Sequence, residues 1–211
     1  MHNHQSRYCY PGTDVLINKL DIRDQEKLEQ AERRLTHVRL TQLQLNPING
    51  QWDLSHLQHI HNYLFQDIYP FCGEIRNESI SKGTFTFCVP QYIDQQGSVL
   101  FKKLRDDHFL KGLVKEVMCK KLAFYFTEIN ILHPFREGNG RTEREFLRTL
   151  AYKNGYTLDW NRIDREELMQ ASVESTVHDE ALIPVMRKMI VENNPSLKLM
   201  DDWLTIKKSN R

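Results

Sequence analysis

The chain has 211 residues, a formal net charge of +1 and 40% hydrophobic content, enough to bury a substantial core as one soluble domain. So small a charge gives little long-range attraction to nucleic acid or anionic lipid, so direct nucleic-acid binding and a membrane role are not expected. There is no run of about 18 apolar residues and no apolar signal segment behind Met-His-Asn-His, which points to the cytoplasm. Cys9, Cys72, Cys88 and Cys119 form no CxxC pair and read as reduced, mostly buried thiols without a disulfide framework.

In chain order, residues 21–45 show a helical pattern in Leu28, Ala31, Leu35, Val38 and Leu43 and close at Asn46-Pro47-Ile48-Asn49-Gly50. Residues 53–68 repeat it through Leu54, Leu57, Ile60, His61, Leu64 and Phe65. Residues 79–88 break the pattern: alternating Thr and Phe with Gly83 at the turn predict a short β-hairpin amid helices. A helix is expected over 91–110 with Ile93, Val99, Leu100 and Leu104 inward. The next carries Val114, Val117, Met118, Leu122, Tyr125, Phe126, Ile129 and Leu132 and stops near His133, because a residue before proline is pushed out of α geometry. Another begins near Arg141, turns Phe146, Leu147 and Leu150 inward and ends at Asn154-Gly155. Asp164 caps a helix running toward Glu174, 180–191 forms one more, and Pro195 precedes a short extra helix over 196–211 with a frayed end. The expected fold class is all-α. His56, His59 and His61 invite a metal reading, but His59 and His61 face different sides of a helix. They are expected to be structural or surface residues, with His2 and His4 in a disordered terminus.

The chemistry concentrates in residues 133–144, His-Pro-Phe-Arg-Glu-Gly-Asn-Gly-Arg-Thr-Glu-Arg. His133 stands at the mouth of a turn and can act as a base. Gly138-Asn139-Gly140 allows positive φ angles that aim successive amides at one point, a nest for anionic oxygens. The helix start that follows adds free amides and the positive end of a dipole. Arg141 and Arg144 supply cations, and Glu137 a carboxylate for a metal. Each residue alone has an ordinary structural reading; together, in order, between a helix end and a helix start, they describe a polyphosphate site. Neither GxxxxGK[ST] nor a strand-led GxGxxG occurs.

In order and spacing this stretch matches HPFx[D/E]GNGRxxR, so the chain resembles the Fic-domain family. The likeness extends through Tyr10-Pro11-Gly12-Thr13-Asp14, Ile60-His61, Leu64-Phe65, Asp67-Ile68-Tyr69 and Gly73-Glu74-Ile75-Arg76 to the compact bacterial Fic toxins, with Phe71-Cys72-Gly73 as a conservative departure. The resemblance implies a Fic-fold helical bundle with a β-hairpin flap, a Fic domain over 1–195 and a C-terminal extension over 196–211. It implies transfer of AMP from ATP to a Ser, Thr or Tyr hydroxyl of a target protein. His133 would be the general base and Glu137 would hold Mg²⁺. Gly138, Asn139 and Gly140 would cradle phosphates through amides and the Asn side chain, while Arg141 and Arg144 neutralise the leaving pyrophosphate and Phe135 plugs the loop into the core. The flap, Ser81, Lys82, Gly83, Thr84 and Phe85, would hold the target by strand addition.

Self-inhibited members carry [S/T]xxxE[G/N]. Residues 176–181, Thr-Val-His-Asp-Glu-Ala, match it incompletely, so a separate small antitoxin supplying the inhibitory helix is the expected partner. ATPase subunits of type II topoisomerases, modified by relatives of this type, are the expected target. Transfer of another nucleotide and a catalytically silent scaffold are the alternatives. A kinase-like variant with Lys at the second glycine is disfavoured by Gly140, and a helix-turn-helix fold by the lack of a basic recognition helix.

Overall fold

The structure, a computed structural model, describes residues 5–83, 85–178 and 180–209. His2, His4, Thr84, Asp179 and Arg211 lie outside the described residues. Eight α-helices and one two-stranded hairpin make up the described chain: α1 Gln25–Leu45, α2 Leu54–Phe65, β1 Ser81–Lys82, β2 Phe85–Thr86, α3 Ile93–Asp106, α4 Lys115–Leu132, α5 Asn139–Lys153, α6 Arg165–Glu174, α7 Ile183–Met189 and α8 Leu197–Ser209. The all-α expectation holds, and no described helix is long and apolar enough to cross a membrane.

Helix starts follow capping chemistry. Asp24, Asp53 and Asp164 accept from the amides of Lys27, His56 and Glu167, satisfying donors that the first turn leaves open. Helix α4 runs through the middle of the core with Met118, Cys119, Leu122, Ala123, Tyr125 and Ile129 buried, and packs against α5 and α7. Asp107 takes hydrogen bonds from Tyr125 Oη and Lys121 Nζ, both at 2.7 Å, and so fixes α4 to the turn after α3. Helix α5 also meets α2 and α8, and α2 meets α1.

Several expectations change at the edges. Val114 and Val117 are exposed, as is Val99: α4 begins only at Lys115 with Val114 as its cap, so these valines precede or flank the buried face. Helix α3 ends at Asp106 rather than running to 110, because His108, Phe109 and Leu110 take positive φ. Helix α7 is shorter than 180–191. Pro184 sits in its first turn, and Ile190 leaves the helix to bridge Leu158. Helix α8 lays Trp203 into the core near Trp52, 6.1 Å between ring centres, so the C-terminal segment packs on the same core as the rest.

Candidate active site

The motif occupies the turn from α4 into α5. His133 caps α4 in the left-handed region, φ 43 and ψ 59, which turns the chain before Pro134. Nδ1 lies 3.2 Å from Asn130 O, an acceptor, so Nδ1 carries the proton and Nε2 keeps its lone pair. The ring stacks on Phe87 at 3.7 Å between centres. Burial, the Asn130 contact notwithstanding, lowers its pKa to about 4, with Arg76 and Lys82 adding to the effect. His133 is therefore neutral throughout the physiological range, more firmly than an unperturbed imidazole would be.

Phe135 is buried and stacks on His61 at 3.9 Å, as a plug should. Asn139 departs from expectation. Its Oδ1 accepts from Phe135 N–H at 2.9 Å and its Nδ2 donates to Phe135 O at 2.8 Å. Both ends are used to close the loop, so the side chain is a staple of the loop rather than a group left open to a ligand. Gly138 opens α5 at φ 78, and a Cβ there would stand 2.2 Å from the Phe65 ring. Helix α5 begins at Asn139, two residues earlier than expected, and presents its first amides at this loop.

Arg141 also differs. Its guanidinium bonds Glu32 of α1 at 2.5 Å and Thr36 at 3.2 Å, lies over the Phe65 ring, and stands 3.6 Å from Glu137. Tyr69 Oη donates to the other Glu32 oxygen. Arg141 is thus a tether from α5 to α1 whose charge is already partly balanced. Arg144 has no hydrogen bond or ion pair among the described residues, and burial pulls its pKa down. Gly140 leaves room beside it, since a Cβ would meet Arg144 Nη1 at 3.3 Å. The neighbouring Glu143 is buried with Oε1 unpartnered, and burial pushes its carboxyl well above the usual range.

Glu137 is half exposed. Its Oε1 accepts from Gly138 N–H at 2.8 Å, while Oε2 has no hydrogen bond among the described residues. No group of three or more His, Cys, Asp or Glu able to hold a metal occurs among them. A lone carboxylate with one oxygen open, beside the N-terminus of α5, is a donor set of the kind that fits Mg²⁺, which takes one or two protein carboxylates and completes its shell with phosphates and water.

The hairpin pairs Ser81 with Thr86 and Lys82 with Phe85, with Gly83 at φ 60 between the strands; Thr84 is outside the described residues. Ser81, Lys82 and Gly83 are exposed, Phe85 is half buried, and Lys82 Nζ reaches Met169 Sδ of α6 at 3.8 Å. The strands thus lie beside His133, through Phe87, and extend toward α6.

Sequence reasoning passed over two residues that build this site. Arg76, 1% exposed, donates through Nε to His133 O at 2.7 Å, through Nη1 to Glu78 O at 2.8 Å and through Nη2 to Cys88 O at 2.5 Å. It joins the turn after α4 to the segments that lead into and out of the hairpin. His61 accepts at Nδ1 from Gly73 N–H, 2.7 Å, and so donates through Nε2 to Glu137 O, 2.9 Å. Burial lowers its pKa to about 4. The expectation of a structural histidine holds for His61, but what it supports is the motif loop itself. His56 is likewise buried, near Ile48 O, and His59 is exposed.

Residues 51–151 match the model of the Fic/DOC family. Over 191 residues, 90% of this chain and 94% of the relative, the chain is 39% identical to a probable protein adenylyltransferase Fic of Escherichia coli K12. It is 39% identical over 168 residues, 80% of this chain and 35% of the relative, to the protein adenylyltransferase VbhT of Bartonella schoenbuchensis. Among solved structures, the N-terminal Fic domain of a VirB-translocated Bep effector protein of Bartonella quintana with bound ADP superposes at a TM-score of 0.83 with 26% identity, covering 92% of this chain and 97% of that one.

Proposed function

Because the chain belongs to the Fic/DOC family, we propose that it is a protein adenylyltransferase: a hydroxyl oxygen of a target protein attacks the α-phosphorus of ATP, pyrophosphate leaves, and the hydroxyl proton passes to His133 Nε2. The observation that carries this is a neutral imidazole with Nε2 open, held by Asn130 O and Phe87, at the entrance to an α5 N-terminus whose loop is stapled by Asn139. A base that is neutral when the substrate arrives, together with donors already aimed at the developing charge, is what in-line nucleotidyl transfer requires. The amides after Gly138 and the unpaired Arg144 would take the polyphosphate, with Arg141 in a supporting place behind them. Glu137 would hold Mg²⁺, which supplies charge neutralisation at the phosphates. The strands Ser81–Lys82 and Phe85–Thr86, exposed but for Phe85, would offer a backbone edge for an extended target segment beside His133.

The same reading makes the protein the toxin of a toxin–antitoxin pair. Arg144 makes no ion pair among the described residues, its nearest acid influence being the buried Glu143 beside it in sequence, and Thr176 and Glu180 lie in turns between α6 and α7, with Glu180 exposed. An inhibitory helix carrying [S/T]xxxE[G/N] would therefore come from a small partner, its glutamate pairing with Arg144 where the γ-phosphate would go. The ATPase subunits of type II topoisomerases are the proposed target.

The test is incubation with Mg²⁺ and ATP labelled at the α or the γ position, in lysate and with purified topoisomerase subunits. Label from the α position is expected on protein, and transfer of γ label instead would overturn adenylyl transfer in favour of kinase chemistry. His133→Ala should reduce transfer on the order of 10²- to 10⁴-fold while ATP still binds. A helix with the inhibitory motif should silence the enzyme, and its Glu→Gly form should not.

A further inference from the structure

A cavity of about 670 Å³ opens between the N-terminal segment, the first leg of the hairpin and the motif loop, lined by Ser6, residues 77–81 and Arg136. Most of its polar wall is already satisfied. Glu78 accepts from Ser6 Oγ at 2.7 Å and from Arg7 N–H at 2.8 Å. Asn77 exchanges hydrogen bonds with Tyr8 Oη, both at 3.2 Å. Arg136 is the exception. Its guanidinium touches Cys9 Sγ at 4.0 Å and lies 6.0 Å from the Tyr8 ring centre, and it has no carboxylate partner among the described residues. The one acid in the wall, Glu78, is held by other donors.

The backbone gives this cavity a direction. Phe87 N–H donates to Ile80 O, so pairing across the hairpin uses Ile80. By the alternation of a strand, Ser81 of β1 turns its backbone groups to the edge away from β2, and Ser81 is among the residues that line the cavity. An extended chain laid along that edge would pass Arg136, which lies three residues after His133 in the motif loop. A cation with five donors in a planar fork, facing a polar cavity and lacking an acid of its own, is suited to a bidentate carboxylate.

We propose that Arg136 reads an acidic side chain, Asp or Glu, near the modified hydroxyl of the target segment, and so sets which extended segments are accepted. This rests on the reading that the hairpin edge holds the target.

The test uses the full chain carrying His133→Ala, so that binding is read without turnover. The probes are fluorescein-labelled extended peptides with a central Ser, Thr or Tyr and with Asp, Ala or Lys placed in turn at each neighbouring position, followed by anisotropy. Asp at one position is expected to tighten binding roughly ten-fold over Lys. Adding Arg136→Ala should remove the difference and Arg136→Glu should reverse it, with ATP affinity and thermal midpoint unchanged. The proposal is overturned if no peptide discriminates Asp from Lys, if the preference survives Arg136→Ala, or if Arg136→Glu abolishes ATP binding, which would place Arg136 in the nucleotide site. With His133 restored, peptides that bind by this rule yet receive no α label would refute adenylyl transfer and leave the cleft assignment standing. Transfer without acid preference would do the reverse.

Discussion

Replacing Arg76 by Met tests how the hairpin is coupled to the base. Arg76 is 1% exposed and its three donors serve the carbonyls of His133, Glu78 and Cys88. A hydrogen bond from a charged donor contributes about 1.5–3 kcal/mol, which makes the gross loss roughly 5–9 kcal/mol. Against this, Met removes a buried guanidinium whose desolvation penalty is several kcal/mol, a penalty visible in the lowered pKa of Arg76. The net cost is then about 3 kcal/mol. The backbone bond from Arg76 N–H to Pro134 O survives the change, and Met fills most of the aliphatic volume.

Urea titration followed by circular dichroism should show that loss with an unchanged denaturant slope. Arg76→Lys is the sharper variant. It keeps a charge in the same buried place while offering a single ammonium to three separated carbonyls, so it should cost as much as Met or more. In hydrogen exchange, the amides of Phe87 and Cys88, which bond Ile80 O and Ile131 O, should lose protection beyond the global change. Transfer should fall mainly in kcat, with ATP affinity kept. An Arg76→Met protein within about 1 kcal/mol of wild type, or an Arg76→Lys protein close to it, would refute the assignment of Arg76 as the buried clamp.

Three further outcomes follow from the geometry. Gly138→Ala combines φ 78 with a Cβ 2.2 Å from the Phe65 ring, so it should cost about 2–4 kcal/mol and weaken ATP binding; a wild-type melting curve with normal affinity would contradict the packing described. His133, with its pKa lowered to about 4, stays neutral in the fold well below the usual imidazole value near 6.5. Its stabilising contribution is therefore present above that value and is lost, by about 3 kcal/mol, as pH falls from about 6.5 to about 4, and the acid limb of kcat/KM should lie near the lower figure; an acid limb near 6.5 would show that His133 is not held as described. Trp203→Ala should lose about 3–5 kcal/mol in urea unfolding, because the ring is 3% exposed against Trp52 and Tyr152, and an unchanged midpoint would show that α8 is dispensable to the core.

The order of helices, the stop at His133 and the hairpin were legible because each has a local cause: apolar spacing, a residue before proline, a glycine at a turn. Boundaries set by tertiary packing were not. The valines before and at the start of α4 fit the helical period but lie where nothing covers them, and the left-handed run His108–Leu110 leaves no mark in composition. Glu32 carries no local signal, and Arg76, though it lies in a stretch that shares the family likeness, shows nothing locally of what it does: each has its role only because distant segments bring it carbonyls or Arg141.

Within the motif itself, residue type did not separate the groups that build the site from those left open to a substrate. Asn139 and Arg141 are as polar as Arg144 and Glu137, yet Asn139 is used at both ends by Phe135, and Arg141 is held by Glu32 and Thr36. Without a hydrogen bond among the described residues are Arg144, one oxygen each of Glu137 and Glu143 and the imidazole Nε2, beside the first amides of α5. Buried unpaired polar groups cost free energy, and a fold this well satisfied elsewhere concentrates that cost at one turn. The half of the motif that is internally bonded holds the other half unbonded. That division explains why a substitution in either half should impair transfer, while one in the bonded half should lower the unfolding midpoint and one in the open half should leave it unchanged or raise it.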